Sequence, residues 1–300
     1  MENTMDILNK DFICSRIIQF CSIFIAAEIC ITSINTEKIF PTEMKNQNNT
    51  LSKPTSNRLL PQKTISPENN KVWTEPYTGI KFIQISGGTF EIGNPFGEGD
   101  KDEKYKRKIT IKPFFLGQTE VTQTEWARLM ESNPSRFKGG KYPVEKISIY
   151  DVNEFTKKMN ELYHGKFLFR LPTEAEWEFA CTEGGKKVRF CNGNNNTRNS
   201  EIHYGKQQTS PVASYAPNSF GLYDMSGNVW EWTCSEYSPH YNGNEEKCSL
   251  DFFQNNAVRG GSWGSKQRGV RASNRNVIYG GYGPSDADSH RGFRLARENR

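Results

Sequence analysis

The chain has 300 residues, 39 Lys and Arg against 34 Asp and Glu for a net charge of +5, 35% apolar residues and 12% aromatic ones. That length holds one large domain with extensions or two small ones, and the content excludes a wholly disordered chain, a coiled coil, a collagen-like repeat and a many-span membrane protein. Five surplus cations over so large a surface make a weak field, so nucleic acid is not an implied partner.

Residues 17–27 (IIQFCSIFIAA) form an apolar run of signal-peptide length, preceded by Lys10 and Arg16 and followed by a polar stretch. Residues 1–31 therefore read as a signal peptide or short N-terminal anchor, a membrane tether if it is retained. Residues 32–77 are rich in Asn, Ser, Thr, Lys and Pro without an apolar period, and read as a polar flexible linker. The expected location is outside the cytoplasm: periplasmic, attached to the cell envelope, or secreted.

From residue 78 the pattern changes. Ile80, Phe82, Ile83 and Ile85, then Phe90 and Ile92, flank Gly87 and Gly88, which predicts two short strands joined by a turn. Residues 109–122 supply a further extended stretch. Three helices follow, each announced by a capping box: Thr122 with Glu125, Ser148 with Asp151, and Thr173 with Glu176. The first is expected over 124–130. In the second, Ile149, Val152, Phe155, Met159 and Leu162 share a face, and the third carries Trp177 and Phe179 inward before stopping at Gly184 and Gly185. Beyond that point no helical period returns, and the remaining residues are rich in Gly, Asn, Tyr and Trp with short extended runs.

Seven ordered blocks carry a resemblance: GGTFEIG (87–93), TEVTQTEW (119–126), PVEKISIYD (143–151), RLPTEAEWEFA (170–180), FGLYDMSGNVWEW (220–232), RGGSW (259–263) and GFRLA (292–296). Together they resemble the formylglycine-generating enzyme, or sulfatase-modifying factor, family over residues 78–297. The resemblance implies an α+β class: a single compact, loop-rich, C-type-lectin-like domain with short strands and about three helices in its first half. It also implies stabilising calcium.

The segment from Asp224 to Glu231 has a carboxylate at each end of a Gly-containing loop, an arrangement that can wrap a hard cation with side-chain and main-chain oxygens. Spacing alone serves equally well for an Asx-type turn at Asp224 with Glu231 paired to an arginine. The resemblance places calcium ligands at Asp224, Gly227, Val229 and Glu231. A second calcium site of the family has no acidic residue in 204–209 to match it.

Oxidase members of the family bind Cu(I) between two thiolates just after the GGS(W/Y) block and use oxygen to convert a substrate cysteine into formylglycine. Here Ser265 stands at the first of those positions, and no cysteine follows Cys248. Cu(I) is soft and needs sulfur, which a hydroxyl does not replace, so copper is not expected. Cys234 and Cys248 flank a loop that a disulfide would close in an exported protein, against the alternative of two free thiols, while Cys181 and Cys191 read as structural.

What remains is a surface. Trp230, Ser262, Trp263 and Ser265, with Arg268, Arg271, Asn274 and Arg275, are expected to line the cleft where relatives hold substrate. Their mixture of rigid aromatic and adaptable polar groups suits recognition. The reading is a binding module for a peptide, protein or glycan. The competing readings are a formylglycine-generating-type oxidoreductase with a non-standard metal centre, and a structural component of the cell envelope.

Overall fold

The computed structural model describes residues 71–249, 255–279 and 287–299. The expected signal peptide and all but the last seven residues of the expected linker lie outside them.

The domain opens earlier than its hydrophobic pattern announces. β1 (Val72–Thr74) pairs antiparallel with β2 (Lys81–Ile85), so residues 71–77, expected as the end of the linker, are part of the fold. Trp73 packs among Phe82, Phe167 and Phe169, and the buried Glu75 accepts hydrogen bonds from the Thr78 backbone and the Tyr163 hydroxyl. A polar composition hid this segment because its single large apolar residue does the anchoring.

β3 (Gly88–Ile92) follows β2 across Gly87, but the two do not form a hairpin. β3 pairs with β4 (Arg107–Ile111) in a sheet of its own, while β2 pairs with β5 (Phe114–Gly117). Gly87 turns the chain away at φ 73°, and a Cβ there would lie 2.4 Å from the Ile111 carbonyl. Helices α1 (Gln123–Trp126), α2 (Ile149–Glu161) and α3 (Glu174–Cys181) start at Thr122, Ser148 and Thr173, each with a reciprocal capping box. α1 is shorter than its pattern suggests. It serves to seat the buried Trp126 flat on Phe155 of α2, with ring centroids 5.2 Å apart and planes 4° from parallel.

Between α2 and α3 runs β6 (Phe167–Arg170), and the last strand, β11 (Ala296–Asn299), inserts between β5 and β6. The five-stranded sheet thus has the order β1-β2-β5-β11-β6, joining the two ends of the described domain through main-chain hydrogen bonds. A second sheet of order β10-β7-β8-β9 is built from β7 (Trp230–Glu236), β8 (Asn256–Arg259), β9 (Arg275–Ile278) and β10 (Arg291–Gly292). One core gathers Phe82, Trp126, Phe155, Phe169, Trp232 and Phe293; the other gathers Ile92, Ile109, Leu116, Trp177, Phe179 and Leu222. Long loops occupy much of 183–229, so the class is α+β and loop-rich. Two disulfides brace it, Cys181 to Cys191 and Cys234 to Cys248.

Candidate functional site

The loop entering β7 is shaped by backbone that few residues tolerate. Asp224, Gly227 and Asn228 all have positive φ, at 56°, 89° and 56°. A Cβ on Gly227 would sit 2.3 Å from the His203 carbonyl, so this position needs glycine. The loop is held from beneath by Glu120, which accepts hydrogen bonds from the Asn228 amide at 2.6 Å and the Val229 N–H at 3.1 Å. Glu231 accepts from Trp177 Nε1 at 2.7 Å and from both Nε and Nη2 of Arg294, at 2.6 and 2.7 Å. The Asp224 carboxylate accepts from the Ala213 N–H at 2.6 Å.

These contacts gather three carboxylates, Glu120, Asp224 and Glu231, around the single cation of Arg294. Burial pushes Glu120 well above the ordinary carboxylate range, and the charges of Asp224 and Glu231 push it further. Burial likewise raises Asp224 to about 6, with Glu231 adding to the shift and the Ala213 N–H and Arg294 opposing it. Burial opposes the Arg294 charge, yet Glu231, Glu120 and Asp224 together raise that group. Glu231 is therefore paired to an arginine, as one of the two spacing-based readings has it, while Asp224 bonds a distant loop and makes no local turn of its own. Glu120 is the member that sequence reasoning missed. It lies in the polar stretch 118–122 that leaves β5, where nothing in the local pattern singles it out.

The chain after β8 turns sharply at Gly260 and Gly261, where a Cβ on Gly261 would meet the Gly269 carbonyl at 2.4 Å. Ser265 then folds back: its Oγ accepts from the Ser262 N–H at 3.0 Å and lies 3.4 Å from Ser262 Oγ. A hydroxyl thus stands at the position where the resemblance places the first of the two thiolates. All four cysteines among the described residues are in disulfides. The donor set does not fit Cu(I), and no step through that metal is derived. Trp263 stacks on His290 with centroids 4.1 Å apart, meets Phe137 edge-on, and donates from Nε1 to the Ser289 carbonyl. His290 Nδ1 in turn lies 2.9 Å from Asp288.

A cleft of about 780 Å³ opens beside this turn. Trp230, Arg268, Arg271, Asn274 and Arg275 line it, facing Asp100, Arg189, Asn195 and Asn196, whereas Ser262, Trp263 and Ser265 are not among its walls. Two expected recognition arginines point inward instead. Arg271 forks onto Glu103 at 2.5 and 2.7 Å, and Arg275 forks onto Glu174 at 2.6 and 2.8 Å while its guanidinium stacks over Tyr241. An arginine surrounded by buried acid and aromatic faces gains more from that pair than from solvent, and periodicity in a loop-rich stretch gives no sign of which way it turns. Asn274 likewise donates its amide to the Gly269 carbonyl. Arg268 is exposed at the opening, and among the described residues its side chain has no hydrogen-bond or ion-pair partner.

Residues 68–299 match the family model of the sulfatase-modifying factor enzyme 1-like domain. The chain is 36% identical over 283 residues to the inactive C-alpha-formylglycine-generating enzyme 2 of Mus musculus, covering 71% of this chain and 84% of that protein. It is 29% identical over 212 residues to the chaperone protein LppX of Paenibacillus barcinonensis, covering 53% of this chain and 72% of that protein. Against serine/threonine-protein kinase Pkn1 of Chlamydia trachomatis it is 28% identical, with 78% of the chain matched but only 41% of the kinase's length spanned. Among solved structures, PvdO from Pseudomonas aeruginosa aligns with a TM-score of 0.65 at 26% identity, covering 76% of this chain and 98% of that one. Treponema denticola variable protein 1 aligns with a TM-score of 0.63 at 25% identity, covering 75% and 98%. Relatives of this chain include both formylglycine-generating enzymes and proteins named as inactive forms. With the described fold matched almost from end to end, the chain belongs to the sulfatase-modifying factor family.

Proposed function

We propose that this chain is an exported, non-oxidase member of the family that uses the cleft beside β9 to bind a peptide, protein or glycan. The observation that carries the reading is the hydroxyl of Ser265 where the oxidase members keep their first thiolate: with the described cysteines bound to one another, that chemistry has no ligands among the described residues. A relative named as inactive and a neighbour named as a variable protein support the same direction.

In this reading calcium is structural. Three carboxylates against one arginine leave a buried excess of negative charge that a divalent cation neutralises, and hard oxygen donors suit calcium. Asp224 and Glu231 would contribute side-chain oxygens, and Gly227 and Val229 main-chain carbonyls. Among the described residues no three His, Cys, Asp or Glu side chains converge tightly enough to hold an ion by themselves, so the main-chain donors are needed. The bound ion would supply charge balance and fix the loop that leads into Trp230.

The test is direct. The purified full chain is assayed for copper and iron and incubated under oxygen with a Cys-x-Pro-x-Arg peptide. The expected result is no stoichiometric copper and no conversion of the cysteine. Stoichiometric Cu(I) together with formylglycine in the peptide would restore the oxidoreductase reading.

A further inference from the structure

The wall of the cleft is a sheet edge. Among the described residues, in the order β10-β7-β8-β9, strand β9 has a partner on one side only. Thr233 of β7 donates its hydroxyl to the Ala257 carbonyl, so Ala257 and Arg259 face β7 while Asn256 and Val258 face β9. The β8 to β9 register pairs Val258 with Asn276 and Asn256 with Ile278. Alternation then leaves the main-chain groups of Arg275 and Val277 directed away from the sheet.

Two further observations agree. Arg275 as a whole residue is 7% exposed but its side chain only 1%, so what it presents to the cleft is main chain. The outward N–H of Val277 is taken by the side chain of its own neighbour, donating to Asn276 Oδ1 at 2.9 Å. An exposed asparagine covering an edge N–H is a removable guard of the kind edge strands carry against unwanted pairing.

From these facts we infer that β9 receives an extended peptide as an added strand, a deepening that rests on the cleft being a binding site. Main-chain hydrogen bonds to Arg275 and Val277 supply the affinity, and alternate side chains of the peptide enter the cleft, where Arg268 is exposed. Binding displaces the Asn276 amide from the Val277 N–H. The cleft is polar, with Arg271 and Arg275 already neutralised by their acids, which favours a main-chain ligand over one read through a charged or greasy anchor.

The experiment takes peptides selected on the full chain from a phage-displayed random library, and measures the best by calorimetry after N-methylation of each backbone nitrogen in turn. Strand addition predicts period-two sensitivity, with alternate positions weakened about tenfold and the rest unchanged. Asn276→Ala, which uncovers the edge N–H, strengthens binding several-fold. Val277→Pro, tolerated where the N–H faces outward, weakens it about tenfold without lowering the melting temperature. A peptide that binds with no period in its N-methyl profile, or a glycan-array ligand in place of any peptide, overturns strand addition while leaving the cleft a binding site. A dimer of the chain that Val277→Pro dissolves overturns the peptide as occupant. Failure of both peptide and glycan libraries overturns the binding reading itself.

Discussion

Two clusters of buried charge stand on either side of Trp177, and they are built to different rules. Behind α3, Glu174 and Glu178 meet Arg259 and Arg275, two acids against two bases, with Arg259 bridging both glutamates at 2.9 and 2.5 Å. Burial alone would raise Glu174, but Arg275 and Arg259 hold it below its ordinary value. On the other side, Glu120, Asp224 and Glu231 share Arg294 alone, and there Glu120 and Asp224 are pushed up. The first cluster matches its charges one for one, although burial still holds Glu178 above its ordinary value. The second carries more acid than base, and under the proposed calcium reading that excess is what a cation would neutralise.

Breaking the balanced cluster should have the largest effect. Arg259→Met leaves Glu174 and Glu178 with one arginine between them, and stability should fall by about 3–5 kcal/mol in urea unfolding, equally with calcium or with chelator. A calcium-dependent loss in that variant would mean that the two clusters are coupled.

The acid-rich cluster should respond to calcium where the balanced one does not. At a free concentration one hundred times Kd, an ion bound only by the folded state adds about 2.7 kcal/mol. Chelator should therefore lower the melting temperature of the parent chain, and Glu231→Gln or Asp224→Ala should abolish the difference. An unchanged melting curve in chelator would remove calcium from the description.

Without calcium the same cluster sets a pH dependence. Asp224 has a folded pKa of about 6 against an ordinary value of 3.8, so the folded state binds the extra proton. The associated stability is fully present below about 4 and is lost as pH rises through 6. In chelator the melting temperature should fall over that window, and saturating calcium, which favours the ionised carboxylate, should flatten the slope. A rise with pH in chelator would contradict the arrangement.

The smallest effect serves as the control. Thr173→Ala removes the cap of α3, whose Oγ1 accepts from the Glu176 N–H at 3.1 Å, and should cost about 1 kcal/mol irrespective of calcium and pH.

Much of the frame is legible in the chain because its signals are local. Thr122, Ser148 and Thr173 cap helices through residues three positions away, and the apolar face of α2 follows from spacing alone. What depends on distant partners is not legible. β2 and β3 look like a hairpin until Gly87 sends them to separate sheets. Trp73 secures a segment whose polar composition suggests a linker. The direction of Arg271 is decided by Glu103 and that of Arg275 by Glu174, residues far away in sequence. Glu120 joins the loop of Asp224 and Glu231 only once the fold sets the segment after β5 against Asn228 and Val229, more than a hundred positions on, so one third of that acid cluster lies outside the motif.

The disulfide from Cys181 to Cys191 fastens the end of α3 to the very loop that supplies Arg189, Asn195 and Asn196 to the cleft. A covalent tether at the root of that loop adds to its hydrogen bonds with Ala272, Glu98 and Gln267 and limits how far it can swing from α3. Under the proposed binding role, the loop would then present Asn196 to a ligand from a base already fixed, leaving less ordering to be done on binding.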